Sequence, residues 1–262
     1  MTFGSLLSNH WQQIDAWGTR RFGPRWISGY ITFWITGWIF FIPLYGILRL
    51  FRKIEVIGYA EAEAFIRRGR GILAPNHPDG WTVFLMTLLF WRQALRNPRF
   101  CIWNMPRKGI MPSWAFPVMR CIPIDRQNPR WNVKALDRMI GILTAGGIAM
   151  VFPETTRTYP SDPDPEVKFV REGERVMRVI DSHMPTLSLR VEAPIKVVWI
   201  QHMPRINGKP GFWSGWWHIL KPGGKLTVYF GEEYMPREGR RIENPIIQKK
   251  IMRCGLPPGP AE

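Results

Sequence analysis

Short apolar runs that alternate with longer amphipathic stretches are the feature of this 262-residue chain that most constrains its fold. After Lys53 the apolar runs have the length of strands, and the stretches between them have helical periodicity. This alternation favours an α/β fold, with a mixed, mostly parallel sheet flanked by helices on both faces. Strands are predicted at Ile54–Gly58, Gly71–Ala74, Phe100–Trp103, Cys121–Ile124, Gly147–Phe152, Ile195–Ile200 and Lys225–Phe230. Helices are predicted at Trp81–Arg96, Pro112–Met119, Asn132–Ala145 and Glu172–Ser182.

The pattern divides the chain into three parts. Residues 1–53 form an N-terminal membrane-associated helical segment, residues 54–240 form the α/β domain, and residues 241–262 form a C-terminal tail. The central part is long enough to bury one large hydrophobic core.

The N-terminal segment contains an uncharged stretch, Trp26–Leu48, with Arg25 before it and Arg49 after it. The stretch is about long enough to cross the hydrocarbon layer of a membrane. Gly37 and Pro43 favour a kink, so a half-inserted helix is the alternative to a full span. A buried helix of a soluble core is a third interpretation. Because basic residues flank both ends, no orientation of a span is predicted.

The charge of the chain indicates its partners. The net charge is +16, from 36 Lys and Arg against 20 Asp and Glu, and there are 14 tryptophans. A basic, Trp-rich chain is suited to a membrane interface, so membrane lipids, in particular anionic phospholipid, are the predicted partners. No nucleic-acid partner is predicted, because no zinc-finger spacing and no aromatic-basic stacking motif occurs. Phosphorylated substrates are compatible with the same charge.

The chain has 3 cysteines, none of them paired at the spacing of a metal or redox site. The odd number argues against a disulfide framework. It predicts a reducing, cytoplasmic-type location for the α/β domain.

Three segments carry the chemistry: APNHPDGWT (Ala74–Thr82), CIPIDR (Cys121–Arg126) and VFPETTR (Val151–Arg157). Each begins at the end of a predicted strand, which is where α/β sheets hold their functional residues. The first segment supplies a possible base and the other two supply charged residues suited to holding phosphate. A base beside a phosphate clamp suggests group transfer to a phosphorylated alcohol.

The charged residues of these segments have alternative roles. The neutral imidazole of His77 can take a proton from an alcohol if an acceptor fixes its other nitrogen; a purely structural histidine is the alternative. The guanidinium of Arg126 can hold a phosphate with two parallel hydrogen bonds, or it can pair with Asp125. Arg157 is a second candidate contact to phosphate. Glu154 can bind a hydroxyl, orient Arg126 or form a structural ion pair.

In order and spacing, these segments resemble the conserved blocks of the glycerolipid acyltransferase family, which includes the 1-acylglycerol-3-phosphate acyltransferases. The pair Asn76-His77 resembles the start of the first block, CIPIDR the second, FPETTRT the third and APIKVVWI the fourth. The resemblance extends from Ile54 to Pro236, which makes 54–240 an acyltransferase-like domain.

The resemblance implies a mechanism and a site. His77 would deprotonate a hydroxyl of the acceptor, which would attack the thioester of acyl-CoA or acyl-carrier protein. Arg126 and Arg157 would hold the acceptor's phosphate, and Glu154 would help to shape that site. The acyl donor is a substrate, and neither a cofactor nor a metal is implied.

Two positions depart from the family pattern. The Asp expected five residues after His77 is Thr82, and Thr155 stands where the third block usually has Gly. A threonine can accept a hydrogen bond but cannot stabilise an imidazolium by charge. Asp79 is the nearest substitute in sequence, although it is also a suitable N-cap for a helix from Trp81. The predicted catalytic set is therefore His77, Asp79 and Thr82.

The sequence thus predicts a membrane-associated acyltransferase that acts on a glycerol-3-phosphate-type or lysophospholipid acceptor. The alternative is a catalytically silent protein with the same fold that binds lipid or serves as a structural subunit. In that case its partners would include the other subunits of a membrane complex.

Overall fold

The computed structural model describes residues 35, 39, 42–77, 86, 89–90, 100–106, 121–124, 129–154, 168–201 and 224–256. In chain order the elements are α1 (Ile42–Leu50), β1 (Ile54–Ile57), α2 (Tyr59–Arg68), β2 (Gly71–Pro75), β3 (Phe100–Pro106), β4 (Cys121–Ile124), α3 (Pro129–Thr144), β5 (Ile148–Met150), β6 (Phe169–Glu172), β7 (Arg175–Arg178), α4 (Met184–Val191), β8 (Ile195–Ile200), β9 (Leu226–Tyr234) and α5 (Arg240–Arg253).

In the described part of the chain, 7 strands form one sheet in the order β1-β9-β8-β2-β5-β3-β4. Strands β8, β2, β5, β3 and β4 run parallel to one another. Strand β9 is antiparallel to β8, and β1 is parallel to β9. The predicted mixed, mostly parallel sheet is confirmed. Because five neighbouring strands point the same way, their carboxyl ends meet at one edge of the sheet.

Helices cover both faces of this sheet. The side chains of β2 alternate, so that Leu73 belongs to one hydrophobic cluster while Ile72 and Ala74 belong to the other. Buried residues of α1 and α2 complete the first cluster, and those of α3, α4 and α5 complete the second. Burial on both faces explains why the central strands are almost wholly apolar.

One close approach fixes the residue type at the start of β2. The aromatic ring of Phe65, on α2, lies against Gly71, and a β-carbon added there would be 2.3 Å from the ring. Only glycine lets α2 pack this closely on the strand that leads to His77.

The predicted helix at Glu172–Ser182 is wrong. Strands β6 and β7 form a separate two-stranded antiparallel hairpin here, with Glu172 paired to Arg175. Gly173, in the two-residue loop between them, has a positive φ of 58°. Such loops are typical of tight hairpins, because their backbone twist matches that of the strands. The helix that follows is α4, which begins at Met184.

Other predicted helices have different outcomes. The prediction at Asn132–Ala145 is confirmed by α3. The predictions at Trp81–Arg96 and Pro112–Met119 lie almost entirely outside the described residues. Most of α5 lies in the segment that the sequence suggested was a tail, and its residues Ile247 and Ile251 are fully buried.

The N-terminal uncharged stretch also lies mostly outside the described residues, and α1 is the helix described at its end. Leu48 packs into the core, whereas Ile47 and Leu50 on the same helix are exposed. Within the ranges that the structure describes, no helix is long and apolar enough for a membrane span.

Candidate active site

The site is built on the end of β2, which Asn76 anchors. Its backbone N–H continues the ladder to the Val198 carbonyl at 3.3 Å. Its side-chain Nδ2 donates to the Ile200 carbonyl at 3.0 Å, and its Oδ1 accepts the Ile200 N–H at 2.6 Å. The side-chain amide therefore takes the place of a peptide group in the sheet. With 1% of its surface exposed, Asn76 is satisfied by β8 alone and fixes the point at which the chain leaves the sheet.

His77 follows directly and is half-buried. Its imidazole lies against the ring of Phe152, with ring centroids 4.7 Å apart. Its backbone N–H donates to Oε1 of Glu154 at 2.5 Å. The residue that follows β2 is thus bound to a residue that follows β5, which is the neighbouring parallel strand.

Glu154 is a buried carboxylate that joins three segments of the chain. Only 2% of its surface is exposed. While Oε1 accepts the His77 N–H, Oε2 accepts the backbone N–H of Arg178, at the end of β7, at 3.0 Å. Each oxygen therefore faces one backbone donor. A glutamine could not do this, because its NH2 group would face one of the two N–H groups.

Burial dominates the titration of this carboxyl group. It raises the pKa of Glu154 to about 7, while the hydrogen bonds from His77 and Arg178 act in the opposite direction. The group therefore changes its charge near neutral pH, directly beside the proposed base. Perturbed groups of this kind are concentrated at functional sites, although structural networks produce them as well.

The structure brings together two of the predicted site residues, His77 and Glu154. The contact is made through the main chain of His77, and no sequence pattern predicts such a contact. The other predicted residues, Asp79, Thr82, Arg126 and Arg157, lie outside the described residues. Their roles, and the role of Glu154 at the acceptor's phosphate, stay predictions.

The sheet nevertheless shows where the second segment, Cys121–Arg126, reaches the edge of the sheet. Strand β4 ends at Ile124 and is the third strand from β2 on the parallel side, at the same carboxyl edge. At roughly 4.8 Å per strand, this separation is about 14 Å. The second segment therefore leaves the sheet at the same edge as His77, three strands away from β2.

Sequence reasoning missed two contributions to the site. Asn76 enters the sequence prediction only as part of a motif, and the prediction places the end of β7 in a helix. The Asn-His pair after a wholly apolar strand was a usable signal for the first, because a buried amide must find partners. For the second, Gly173 between two short runs that contain Val170 and Val176 was the local signal of a turn.

A comparison with protein families identifies the class of protein. The family model described as Acyltransferase matches residues 53–187, just over half of the 262 residues. The chain therefore belongs to the acyltransferase family, as its motifs predicted. The matched range includes both His77 and Glu154.

Among solved structures, the fold is similar to that of the 1-acyl-sn-glycerophosphate (LPA) acyltransferase PlsC from Thermotoga maritima. The TM-score is 0.50, with 14% sequence identity over 86% of this chain and 92% of that chain. At this identity the similarity concerns the fold. A comparison with curated protein sequences finds no match.

Proposed function

We propose that this protein is a membrane-associated O-acyltransferase that esterifies a hydroxyl of a glycerol-3-phosphate-type or lysophospholipid acceptor. Its acyl donor is a thioester, acyl-CoA or acyl-carrier protein. The observation that carries the proposal is the position of His77, held at the carboxyl edge of the parallel sheet by Asn76 and Glu154 in a chain of this family.

The reaction needs no covalent intermediate with the protein. The imidazole of His77 accepts the proton of the acceptor hydroxyl while that oxygen attacks the thioester carbonyl carbon. The tetrahedral intermediate collapses with cleavage of the carbon–sulfur bond, and the proton passes to the departing thiolate. Arg126 and Arg157 bind the acceptor's phosphate, and Asp79 or Thr82 accepts a hydrogen bond from the imidazole.

The test is acyl transfer by the purified protein. Labelled acyl-CoA and acyl-carrier protein are offered with glycerol 3-phosphate and a panel of lysophospholipids. The variant His77→Ala should lose roughly 10²–10⁴-fold in kcat, the usual contribution of a general base. His183→Ala is the matched control, because His183 lies at the start of α4 and contacts Arg240. Equal activity of His77→Ala and wild type would refute the proposed role.

A silent subunit is the second candidate, and Thr82 is the feature that favours it. The variant Thr82→Asp distinguishes the two. In an enzyme whose site keeps the family's shape, the added carboxylate stabilises the imidazolium and raises turnover. Absence of transfer by both wild type and Thr82→Asp, with every donor and acceptor, would establish the silent alternative.

Membrane association is supported by α1 and the residues that follow it. Ile47, Leu50 and Phe51 are 52%, 78% and 66% exposed, and Arg49, Arg52 and Lys53 lie among them. Apolar side chains beside basic ones suit an anionic membrane surface on the reducing, cytoplasmic-type side.

Flotation with liposomes that contain anionic phospholipid tests this association. The variant Leu50→Asp should reduce the bound fraction several-fold, because a charge would enter the apolar layer. Val133→Asp is the control, since Val133 is 58% exposed on α3. An equal bound fraction for both variants would count against α1 as the contact.

A further inference from the structure

The C-terminal helix α5 is connected to the active site through the side chain of Gln248. The residue is 4% exposed and lies beyond the range that the family model matches. Its Nε2 donates to the carbonyl of Arg178 at 3.1 Å, and its Oε1 accepts the backbone N–H of Ile180 at 3.2 Å. Like Asn76, it uses a side-chain amide in place of a neighbouring peptide group.

These bonds hold the segment whose N–H binds Glu154. The N–H of Arg178 donates to Oε2 of Glu154, and Oε1 of Glu154 accepts the N–H of His77. A continuous series of buried and half-buried hydrogen bonds therefore leads from α5 to the main chain of His77. Each of these hydrogen bonds joins a side chain to a backbone group. A shift of Gln248 therefore moves the backbone of Arg178, then the carboxylate of Glu154 and then the main chain of His77.

The other end of α5 is fastened to the same hairpin. Arg175, at the start of β7, donates from one guanidinium nitrogen to the carbonyls of Met252 and Cys254, both at 2.6 Å. Its guanidinium lies over the ring of Trp199, 4.7 Å from the centroid. The helix and the hairpin thus form one unit, and Gln248 contacts the same residue of β7, Arg178, that binds Glu154.

We propose that Gln248 is a positioning residue for His77, acting through the backbone of Arg178 and the carboxylate of Glu154. The inference rests on the proposed acyl transfer for its catalytic consequence. It assigns α5 to the active-site architecture, although the helix touches no reacting atom.

The test compares two substitutions on adjacent turns of α5. Gln248→Met removes both hydrogen bonds at similar volume. Asn244→Leu is the matched control, because Asn244 donates from Nδ2 to the carbonyl of Ser182, beyond the end of β7, at 3.2 Å. We expect Gln248→Met to lower kcat by about 10-fold with less than about 2-fold change in KM, since a base displaced by a fraction of an ångström loses alignment. Asn244→Leu should remain within about 2-fold of wild type.

A second measurement reports on the position of His77 independently of catalytic activity. Hydrogen exchange of the His77 amide should accelerate about 10-fold in Gln248→Met and stay unchanged in Asn244→Leu, because that amide is protected by Glu154. In a Glu154→Gln background, Gln248→Met should change neither kcat nor exchange further, since the connecting group is already disrupted.

Each outcome decides the proposal. It is overturned if Gln248→Met acts no more strongly than Asn244→Leu, or by the same factor with and without Glu154→Gln. If the wild type transfers no acyl group, the proposed function fails separately, and the His77 amide exchange alone decides the positioning. If Gln248→Met does not fold, Gln248→Asn, which keeps the amide on a shorter side chain, gives the same readouts.

Discussion

Two buried glutamates, Glu154 just after β5 and Glu243 in the first turn of α5, have pKa values that are displaced in opposite directions. Both are almost inaccessible, at 2% and 1% exposure. Burial raises the pKa of Glu154 to about 7. The pKa of Glu243 is lowered, although burial acts in the raising direction there too, because its hydrogen bonds outweigh that effect.

The difference lies in depth and in the number of donors. Glu154 lies deep in the protein and receives two backbone N–H groups, one on each oxygen. Glu243 lies just below the surface and receives three donors, the Tyr234 hydroxyl at 2.6 Å and the N–H groups of Arg237 and Glu238 at 2.7 and 2.9 Å. The charge of Glu243 is also favoured by the positive end of α5. Accessible surface alone therefore does not decide whether a buried carboxyl group is charged.

The largest expected effect is the pH dependence that Glu154 imposes on stability. Its pKa is about 7 in the folded protein against 4.5 for an ordinary glutamate. A raised pKa means that folding favours the protonated carboxyl group. This contribution to the free energy of unfolding is fully present below the unfolded-state pKa and is lost as the pH rises through the folded-state pKa, a change of about 3 kcal/mol. The free energy of unfolding of wild type, measured relative to Glu154→Gln by urea denaturation, should fall by that amount between pH 4.5 and about 8. If the difference in the free energy of unfolding between wild type and Glu154→Gln does not change over this range, Glu154 does not differ from Glu243 in the way proposed.

The second expected effect is a pH dependence of stability with the opposite sign, because the pKa of Glu243 is lowered. Glu243→Gln should lower the free energy of unfolding by about 2 kcal/mol at pH 7, because charge-assisted hydrogen bonds become neutral ones. Since the pKa is lower in the folded protein, this stabilisation is present above 4.5 and disappears as the pH falls through the folded value. Urea denaturation of wild type and Glu243→Gln in neutral and in acid buffer measures the difference in the free energy of unfolding at each pH. An equal loss at both would mean that the glutamate is not charged in the folded protein.

The smallest expected effect isolates one donor. Tyr234→Phe removes the hydroxyl but leaves two N–H groups on Glu243. We expect a loss of about 1 kcal/mol at pH 7 and an upward shift in the pKa of Glu243. Carboxyl NMR titration follows the pKa directly. An unshifted pKa would show that the two N–H groups alone keep Glu243 charged.

Much of the sheet and part of the site could be predicted from the sequence. Apolar runs predicted the seven strands that the described residues contribute to the main sheet, and the ends of those runs placed His77 and Glu154 at one edge. This works because burial on both faces demands a short, wholly apolar run, and parallel strands share an edge.

The remaining contacts depend on tertiary packing that spacing does not reveal. The helix-forming residues between Glu172 and Arg178 favoured a helix locally, but a positive φ at Gly173 and pairing of the two strands produced a hairpin. The polar sequence of α5, with Pro245 inside it, gave little sign of a buried helix. The hydrogen bonds of Gln248 reach back about 70 residues, and no local rule predicts such a partner.

The order of the strands has a consequence for folding kinetics. Strand β1 pairs with β9, so that Ile54 aligns with Leu226, and β2 lies between β5 and β8. Contacts so distant in sequence require closure of long loops, which slows folding. We therefore expect the protected state of the His77 amide to form late, after α5 has docked. Pulse-labelled hydrogen exchange during refolding measures this, and protection that precedes the docking of α5 would contradict it.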